Sequence, residues 1–357
     1  MAAFGRFSTS KKSALAERQR WHRVQLLSSA NVPIHTPSLN LADATCWALH
    51  DGAAGNRRQV LALADALALP STEWVLTASA PARWFAPRHA PGSGRAFGTQ
   101  FQRALRDAPP AIAMGCGRLA ALATRQARAA GAFAIQILDP RIDTNHWDLV
   151  IAPEHDGLEG DNVIELCGSL NPIDPTWLAH AREGAATLAA LPGPRTAVLI
   201  GGPTRATRFD RGALEVMLAK LELALAREGG SLIVCGSGRT PREWAPLLRS
   251  RYSGQAHRVW LDASDGANPY AGALGWADRI VVSPDSVNMV SEACSTSLPV
   301  FVAEPTRATG RVRRFLQGLE AVGRIRAQSG SLQAFECEPL QETARVAAQV
   351  RERLSLR

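Results

Sequence analysis

The chain lacks the short motifs that assign many enzymes to a reaction class from sequence alone. No GxGxxG fingerprint follows its first predicted strand, which argues against a nicotinamide-dependent enzyme. It has no GxxxxGK[ST] phosphate loop and no GxSxG nucleophile motif, and no cysteine has an obvious histidine partner. The function must therefore be sought in the individual turns of the fold.

Lysine is nearly absent, since only Lys11, Lys12 and Lys220 are lysines among 40 basic residues. Arginine suits phosphates and carboxylates, although the same bias is typical of a GC-rich genome. The net charge is +8, but the basic residues are spread along the chain without an RNA- or DNA-binding signature. We expect no nucleic-acid partner and no clear protein partner; the charge is compatible with peripheral contact at the inner membrane.

Closely spaced cysteines and long apolar runs are also missing. The six cysteines form no CxxC pair, which indicates buried thiols in a reducing compartment rather than a zinc site or a disulfide framework. No apolar stretch approaches the roughly 18 residues of a membrane span. The N-terminus has no apolar core of a signal peptide. These absences predict a cytoplasmic protein.

The length of 357 residues predicts two domains. Residues 1–40 are expected to form a basic, weakly ordered extension, either a frayed end or an arm for a membrane or a partner. We expect a Rossmann-like domain over 41–190 and a second one over 195–325, followed by a strand and helix segment over 326–357. Pro192-Gly193-Pro194 marks the domain boundary.

Short apolar runs alternate with helical stretches in both halves. Strands are predicted over 45–50, 73–77, 111–114, 133–138, 149–152, 163–166, 197–200, 232–234, 258–261, 280–282 and 300–302. One long helix is predicted over 174–190. The alternation indicates α/β folding, with two doubly wound, parallel-sheet domains facing a cleft. Ligands then bind beyond the carboxyl ends of the strands.

The segment 283–293 has the most informative pattern. Asp285 or Ser286 is expected to cap a helix whose N-terminus attracts anions. Glu292 follows two turns later, on about the same face, where a carboxylate suits two ribose hydroxyls. An ordinary capped helix with a solvated glutamate explains the spacing equally well. The nucleotide-sugar-binding candidates in this segment are Ser283, Asp285, Ser286, Asn288, Met289 and Glu292.

Two glycine-containing turns follow other strands of the second half. Glycines let a backbone approach a ligand closely, and hydroxyl and guanidinium groups bind phosphate. A single GxG pattern is weak, but the turns support one another. Their nucleotide-sugar-binding candidates are Gly201, Gly202, Ser237, Gly238, Arg239 and Thr240.

The turn after the first strand contains His50 and Asp51, either of which suits a general base. The alternative is a tight glycine turn with a helix capped by Asn56. The acceptor-side candidates here and on neighbouring turns are Gly52, Gly55, Asn56, Gly117, Arg118 and Asp139. The acidic run 153–156 contains one histidine but no third ligand of defined geometry, so we predict no metal.

Several of these motifs together resemble the Elm-type mitochondrial fission family, which suggests a bacterial homologue. They are Asp51-Gly52, Gly55-Asn56, Gln59, Asp139-Pro140-Arg141, Pro153–Asp156, Asn268-Pro269-Tyr270, Ser283–Ala293 and Pro299-Val300. The resemblance covers residues 44–325, with the motifs in order, and adds Asn268 to the nucleotide-sugar-binding candidates. The chain departs from the family pattern in the turn over 235–240.

That family in turn resembles GT-B glycosyltransferases, which bind a nucleotide diphosphate in the C-terminal domain. The resemblance implies that Glu292 binds the ribose, that Ser286 and the 236–240 turn hold phosphates, and that Asp51 lies near the acceptor. It implies a metal-independent glycosyltransferase that acts on a nucleotide sugar and an unknown acceptor, without a cofactor. The alternative is a non-catalytic scaffold that keeps the fold and binds a protein partner.

Overall fold

The computed structural model describes residues 44–89 and 91–355. The predicted extension over 1–40 lies outside these residues. The described chain divides into two compact units. The N-terminal unit comprises 44–180, 287–296 and 340–355, and the C-terminal unit comprises 181–286 and 297–339.

The N-terminal unit contains a six-stranded parallel sheet in the order β2-β1-β3-β4-β5-β6. Its strands are β1 (Cys46–His50), β2 (Ser71–Val75), β3 (Ile112–Cys116), β4 (Phe133–Ile137), β5 (Leu149–Pro153) and β6 (Val163–Leu166). Parallel strands need crossover connections, and helices on both faces of the sheet provide most of them.

Strand β1 illustrates why both faces are covered. All five of its residues are buried, and successive side chains point to opposite faces. Cys46 and Ala48 join a core with apolar residues of the first and last helices, whereas Trp47 and Leu49 join a separate cluster. The continuous apolar run is therefore typical of a central parallel strand.

The helices of this unit include two that are distant in the sequence. They are α1 (Ala54–Ala66), α2 (Ala82–Phe85), α3 (Gly98–Asp107), α4 (Arg118–Ala129), α9 (Val287–Cys294) and α11 (Glu342–Ser355). Val346, Val350 and Leu354 of α11 complete the core formed by α1 and β1. The C-terminal end of the chain is thus part of the N-terminal unit.

The C-terminal unit contains a second six-stranded parallel sheet, in the order β12-β11-β10-β7-β8-β9. Its strands are β7 (Arg195–Leu199), β8 (Ser231–Cys235), β9 (Arg258–Trp260), β10 (Arg279–Val282), β11 (Val300–Val302) and β12 (Ile325–Ala327). Its helices are α6 (Arg211–Glu228), α7 (Ala245–Arg251), α8 (Tyr270–Trp276) and α10 (Gly310–Ala321).

Helix α6 packs the main core of this unit. Its N-terminus is capped by Asp210, whose carboxylate accepts a hydrogen bond of 2.9 Å from Ala213 N. Leu214, Met217 and Leu221 of α6 are buried in one cluster with apolar residues of β7, β8, β10 and β11. Their spacing places them on one face of the helix.

These two sheets confirm the predicted class of doubly wound α/β units. The predicted single helix over 174–190 was wrong, because α5 (Pro175–Glu183) ends before Gly184 and only a short 3-10 turn, Ala186–Ala190, follows. Glycine destabilises helix interiors, which explains the break. A strand was predicted in the segment over 326–357 without bounds of its own; the structure has the short edge strand β12 at Ile325–Ala327, with only its first residue buried.

Candidate functional site

The strand order of the C-terminal sheet reverses between β7 and β10. The chain runs from β7 outward to β9 and then returns to place β10 on the other side of β7. In open α/β sheets, the crevice beyond the carboxyl ends at such a reversal is the usual ligand position. Gly201 follows β7 and Ser283 follows β10, so the two predicted turns meet at this point.

A chain of hydrogen bonds joins the candidate residues there. Gly201 N donates to Ser283 Oγ at 2.8 Å, and Ser283 Oγ donates to Asp285 Oδ1 at 2.6 Å. Arg239 Nη2 donates to Asp285 Oδ2 at 2.8 Å. The carboxylate side chain is fully buried, whereas 49% of the Arg239 side chain is exposed. The charge-assisted bond therefore anchors a guanidinium that is accessible to solvent.

Close packing explains both glycines of the β7 turn. A Cβ atom on Gly201 would collide with the carboxylate of Asp285, and one on Gly202 would collide with the backbone oxygen of Arg239. Only glycine allows backbones to approach this closely. The β7 turn therefore packs directly against the turn that contains Arg239, and larger residues cannot replace its two glycines.

The turn after β8 is tied to β7 by hydroxyl groups. Ser237 N donates to Thr240 Oγ1 at 2.8 Å, and Thr240 Oγ1 donates to Ile200 O at 2.7 Å. A Cβ atom on Gly238 would meet no atom within 4 Å. The structure thus brings together the predicted candidates of three turns, with open space at Gly238.

Two further candidates differ in their surroundings. Asn268 Oδ1 accepts a hydrogen bond of 2.9 Å from Tyr270 N, so its side chain supports the start of α8. Ser286 is buried and follows directly after Asp285 in the chain. Adjacency in the sequence therefore places Ser286 beside the network.

The candidates Asn288, Met289 and Glu292 lie in α9, which belongs to the N-terminal unit. Glu292 is only 2% exposed and forms an ion pair with Arg58 of α1. The alternative of a solvated glutamate is therefore wrong. A Cβ atom on Gly55, another predicted residue, would collide with the Asn288 amide, so α1 and α9 are closely packed.

The N-terminal sheet has its own reversal of strand order, between β1 and β3. Asp51 follows β1, and its Oδ1 atom accepts hydrogen bonds from Ala53 N at 3.1 Å and Asn56 Nδ2 at 3.0 Å. Gly117 follows β3 with a φ of +91°, and a side chain there would collide with the Asn56 amide. Asp51, Asn56 and Gly117 thus form one cluster, with Asp51 exposed.

The other candidate base, His50, is fully buried and bonded through both ring nitrogens. Its Nδ1 atom accepts from Gly52 N at 3.0 Å, so the proton lies on Nε2, which donates to Glu73 Oε1 at 2.9 Å. The hydrogen bonds from Arg57 and His50 lower the pKa of Glu73 to about 2. Because His50 has no nitrogen left for an acceptor, the geometry favours Asp51.

The cysteines match their predicted role as buried thiols. None of the six forms a disulfide, and only Cys337 is partly exposed. Burial raises the pKa of Cys46 and of Cys235 to about 12. Burial also raises the pKa of Cys116, beside the Asp51 cluster, with a further contribution from the Asp51 charge. These thiols stay protonated at neutral pH and are poor nucleophiles.

The remaining acceptor-side candidates, Arg118 and Asp139, line a pocket of about 500 Å³ together with Gly117. The pocket lies at the carboxyl edge of the N-terminal sheet, beyond β3 and β4. Asp139 accepts a hydrogen bond of 2.7 Å from Arg141 N and forms an ion pair of 2.9 Å with the Arg141 guanidinium. The pocket is thus rimmed by charged side chains.

The sequence reasoning missed three residues near these clusters. Arg58 pairs with Glu292, and Trp84 and Gln136 line the pocket. Gln136 had a signal that could have revealed it, because it is the single polar residue of the buried strand β4. A polar side chain in such a strand needs a hydrogen-bond partner or a function.

In the described part of the chain, no three His, Cys, Asp or Glu side chains are arranged to hold a metal ion. None of the helices within 44–89 and 91–355 is both long and apolar enough to cross a membrane.

Comparison with known proteins identifies a matching family. A family model described as mitochondrial fission ELM1 matches residues 54–354. The mitochondrial fission protein ELM1 of Arabidopsis thaliana is 30% identical in an alignment of 281 residues that covers 70% of this chain. The match covers 65% of the length of the plant protein, slightly under two thirds.

Comparison with solved structures identifies a shared fold. A UDP-GlcNAc 2-epimerase from Methanocaldococcus jannaschii is 9% identical, with a TM-score of 0.53 over 86% of this chain and 99% of that one. A second structure of this epimerase, in complex with UDP-GlcNAc and UDP, is 11% identical and gives a TM-score of 0.50 with the same coverage. At these identities the likeness concerns the fold alone.

Proposed function

This chain belongs to the mitochondrial fission ELM1 family, and from that premise we propose that it is a metal-independent glycosyltransferase that uses a nucleotide sugar. The donor diphosphate binds at the β7–β10 reversal of the C-terminal unit. The Gly201–Ser283–Asp285–Arg239 hydrogen-bond chain is the observation that carries this proposal. The shared fold with an epimerase whose structure holds UDP-GlcNAc and UDP supports the ligand class.

Arg239 is the residue best suited to the leaving diphosphate. One Nη2–H bond goes to buried Asp285, and the half-exposed guanidinium has further N–H donors for phosphate oxygens. We assign the same role to Arg205, an exposed arginine of the β7 turn. The hydrogen bond to Asp285 positions the Arg239 guanidinium before the ligand binds. The site therefore needs little rearrangement to stabilise the charge that develops on the leaving group.

Asp51 is proposed as the base for the acceptor. It takes the proton from the acceptor hydroxyl while that oxygen attacks the anomeric carbon and the bond from this carbon to the diphosphate breaks. The hydrogen bonds from Ala53 N and Asn56 Nδ2 hold one carboxylate oxygen and fix its orientation. These partners leave Oδ2 for the acceptor.

Glu292 is assigned to the ribose through the family resemblance. Its burial and its ion pair with Arg58 give the carboxylate a fixed position in α9. We also propose a cytoplasmic location, because none of the six cysteines forms a disulfide, as is typical of a reducing compartment.

A scaffold without catalysis is the second candidate, favoured by the name of the Arabidopsis relative, a mitochondrial fission protein. The two candidate functions differ in whether the protein converts the nucleotide sugar to a nucleoside diphosphate. Purified protein is incubated in EDTA with UDP-, GDP- or ADP-sugars and saccharide acceptors, and release of the nucleoside diphosphate is measured. Release that depends on the acceptor supports the transferase. Nucleotide-sugar binding without any release supports the scaffold.

A further inference from the structure

The pocket of about 500 Å³ in the N-terminal unit has features that the proposed donor site does not explain. Its lining includes aromatic residues of α2, the buried residue Gln136 and the loop that follows β4. Its volume is in the range of small-molecule sites, which combine apolar walls with a few placed polar groups. The composition of these walls therefore indicates a ligand class.

The α2 wall is fastened to α4 by arginine side chains. Arg118 donates to the backbone oxygens of Arg83 at 2.9 Å and Trp84 at 3.2 Å, and Arg125 donates to Pro87 O at 2.6 Å. Arg118 and Arg125 are seven residues apart and so lie on one face of α4. The backbone that carries Trp84 is therefore held in place before any ligand binds.

Two large aromatic side chains of this wall are exposed. Trp84 is 69% and Phe85 is 54% exposed, and both line the pocket. Aromatic side chains such as these have only two rotatable torsions, so they lose little conformational entropy when a ligand covers them. The negative face of an aromatic ring attracts C–H groups, so the wall suits a ring with an apolar C–H face.

Gln136 is a buried polar residue in the lining of the pocket. It is only 1% exposed, and its Nε2 group donates to Ile137 O at 2.6 Å. Among the described residues its Oε1 atom is buried without a hydrogen-bond partner. A buried acceptor without a donor is unfavourable, so a ligand with an O–H or N–H group gains by supplying one.

The rim of the pocket adds Asp139, a second acceptor. A phosphate group has no hydrogen to donate to either residue at neutral pH when fully ionised, and a nucleobase has few donors on one edge. A saccharide has several hydroxyls, each of which both donates and accepts. Its hydroxyls therefore match the acceptors, while its C–H face matches Trp84.

We propose that this pocket binds a saccharide, stacked on Trp84 and hydrogen-bonded to Gln136 Oε1. The binding needs only residues of the N-terminal unit. The identification of this saccharide as the acceptor of the transfer rests on the proposed function.

Saturation-transfer NMR on the full chain tests the inference without any nucleotide sugar. The probes are glucose, N-acetylglucosamine, cellobiose and N,N′-diacetylchitobiose, with uridine and adenosine as the nucleobase arm. The variants are Trp84→Ala, which changes an exposed residue, and Gln136→Leu, which keeps the volume and removes the acceptor. Val75→Ala is the matched control, since Val75 is 60% exposed in the same unit outside the pocket.

We expect saturation transfer to at least one saccharide, reduced tenfold or more in Trp84→Ala and in Gln136→Leu and unchanged in Val75→Ala. Thermal melts of the same samples show that each variant is folded. No transfer to any saccharide, or transfer that survives Trp84→Ala, overturns the proposal. Transfer to the nucleosides alone also overturns it, in favour of a nucleobase pocket. A failed donor site leaves these signals unchanged, so the two proposals fail separately.

Discussion

Arg239 and Asp285 are joined by a hydrogen bond of 2.8 Å across 46 residues of sequence. The bond links the turn after β8 to the turn after β10, on either side of β7. Because Asp285 is buried and Arg239 is half exposed, the carboxylate acts as an anchor and the guanidinium as the contact for a ligand. The predictions below follow from this arrangement and, in the N-terminal unit, from Asp51, Glu292 and Glu73.

The first prediction concerns the close contact between Gly202 and the Arg239 backbone. Gly202→Ala places a methyl group against the Arg239 carbonyl oxygen, so the turn must shift. We expect a loss of about 1–3 kcal/mol in the free energy of unfolding, as for overpacked sites, and weaker nucleotide-sugar binding. Chemical denaturation and calorimetric titration measure the two effects.

Gly238→Ala is the matched control, because its methyl group meets no atom within 4 Å. Its unfolding free energy should change by no more than about 0.5 kcal/mol. Equal destabilisation by both alanines would show that the close packing at Gly202 has no special role.

The second prediction concerns Asp51 as the base. Asp51→Asn keeps the shape of the side chain but removes its ability to take a proton. We expect the transfer rate to fall by about 100-fold or more, while donor binding stays unchanged. Steady-state release of nucleoside diphosphate measures the rate, and Asp65→Asn, at an exposed carboxylate of α1, is the control. A wild-type rate in Asp51→Asn would reject the assignment.

The third prediction concerns Glu292 as the residue that binds the ribose. Glu292→Gln keeps the volume of a buried side chain but weakens its hydrogen bonds to ribose hydroxyls. We expect the dissociation constant for the nucleotide sugar to rise about tenfold, measured by calorimetry. If the dissociation constant of a folded Glu292→Gln protein were unchanged, Glu292 of α9 would not take part in donor binding.

The fourth prediction concerns the pH dependence of the Glu73 ion pair. The hydrogen bonds from Arg57 and His50 lower its pKa from 4.5 to about 2, so the pair stabilises the folded state above pH 4.5. That stability is lost as the pH falls from 4.5 towards 2. Because Glu73 is a surface residue, the contribution is at most about 1 kcal/mol.

Thermal melts of wild type and Glu73→Gln between pH 7 and pH 3 test this dependence. The wild type should melt at the higher temperature at pH 7, and the difference should shrink below pH 4.5. A difference that grows as the pH falls would contradict the stated direction of the pKa shift.

Much of the fold was predictable because its signals are local. Continuous apolar runs such as β1 and β3 predict buried parallel strands, and the glycine-containing turns after β7 and β8 mark the carboxyl edge of the sheet. The break at Gly184 and the bounds of the three-residue edge strand β12 have weak local signals, because one glycine and one buried residue specify little.

The contacts within the site depend on packing between distant segments. The sequence pattern identified Asp285 and Arg239 separately, but their pairing depends on the strand order. The partner of Glu292 is Arg58, 234 residues earlier, which no local spacing indicates. The α2 aromatics line the pocket with Gln136 because Arg118 of α4 holds their backbone, a contact between segments that no local pattern indicates.

The central claim is tested most directly by a thermal-shift screen of the full chain against UDP-, GDP- and ADP-sugars in EDTA. Arg239→Ala is measured beside Arg211→Ala, an exposed arginine of α6 paired with Glu215. A ligand at one hundred times its dissociation constant stabilises by about 2.7 kcal/mol. We predict a rise in Tm with one of these sugars, lost in Arg239→Ala and kept in Arg211→Ala. No rise with any of them, or a rise that Arg239→Ala retains, would contradict a donor site at the β7–β10 reversal.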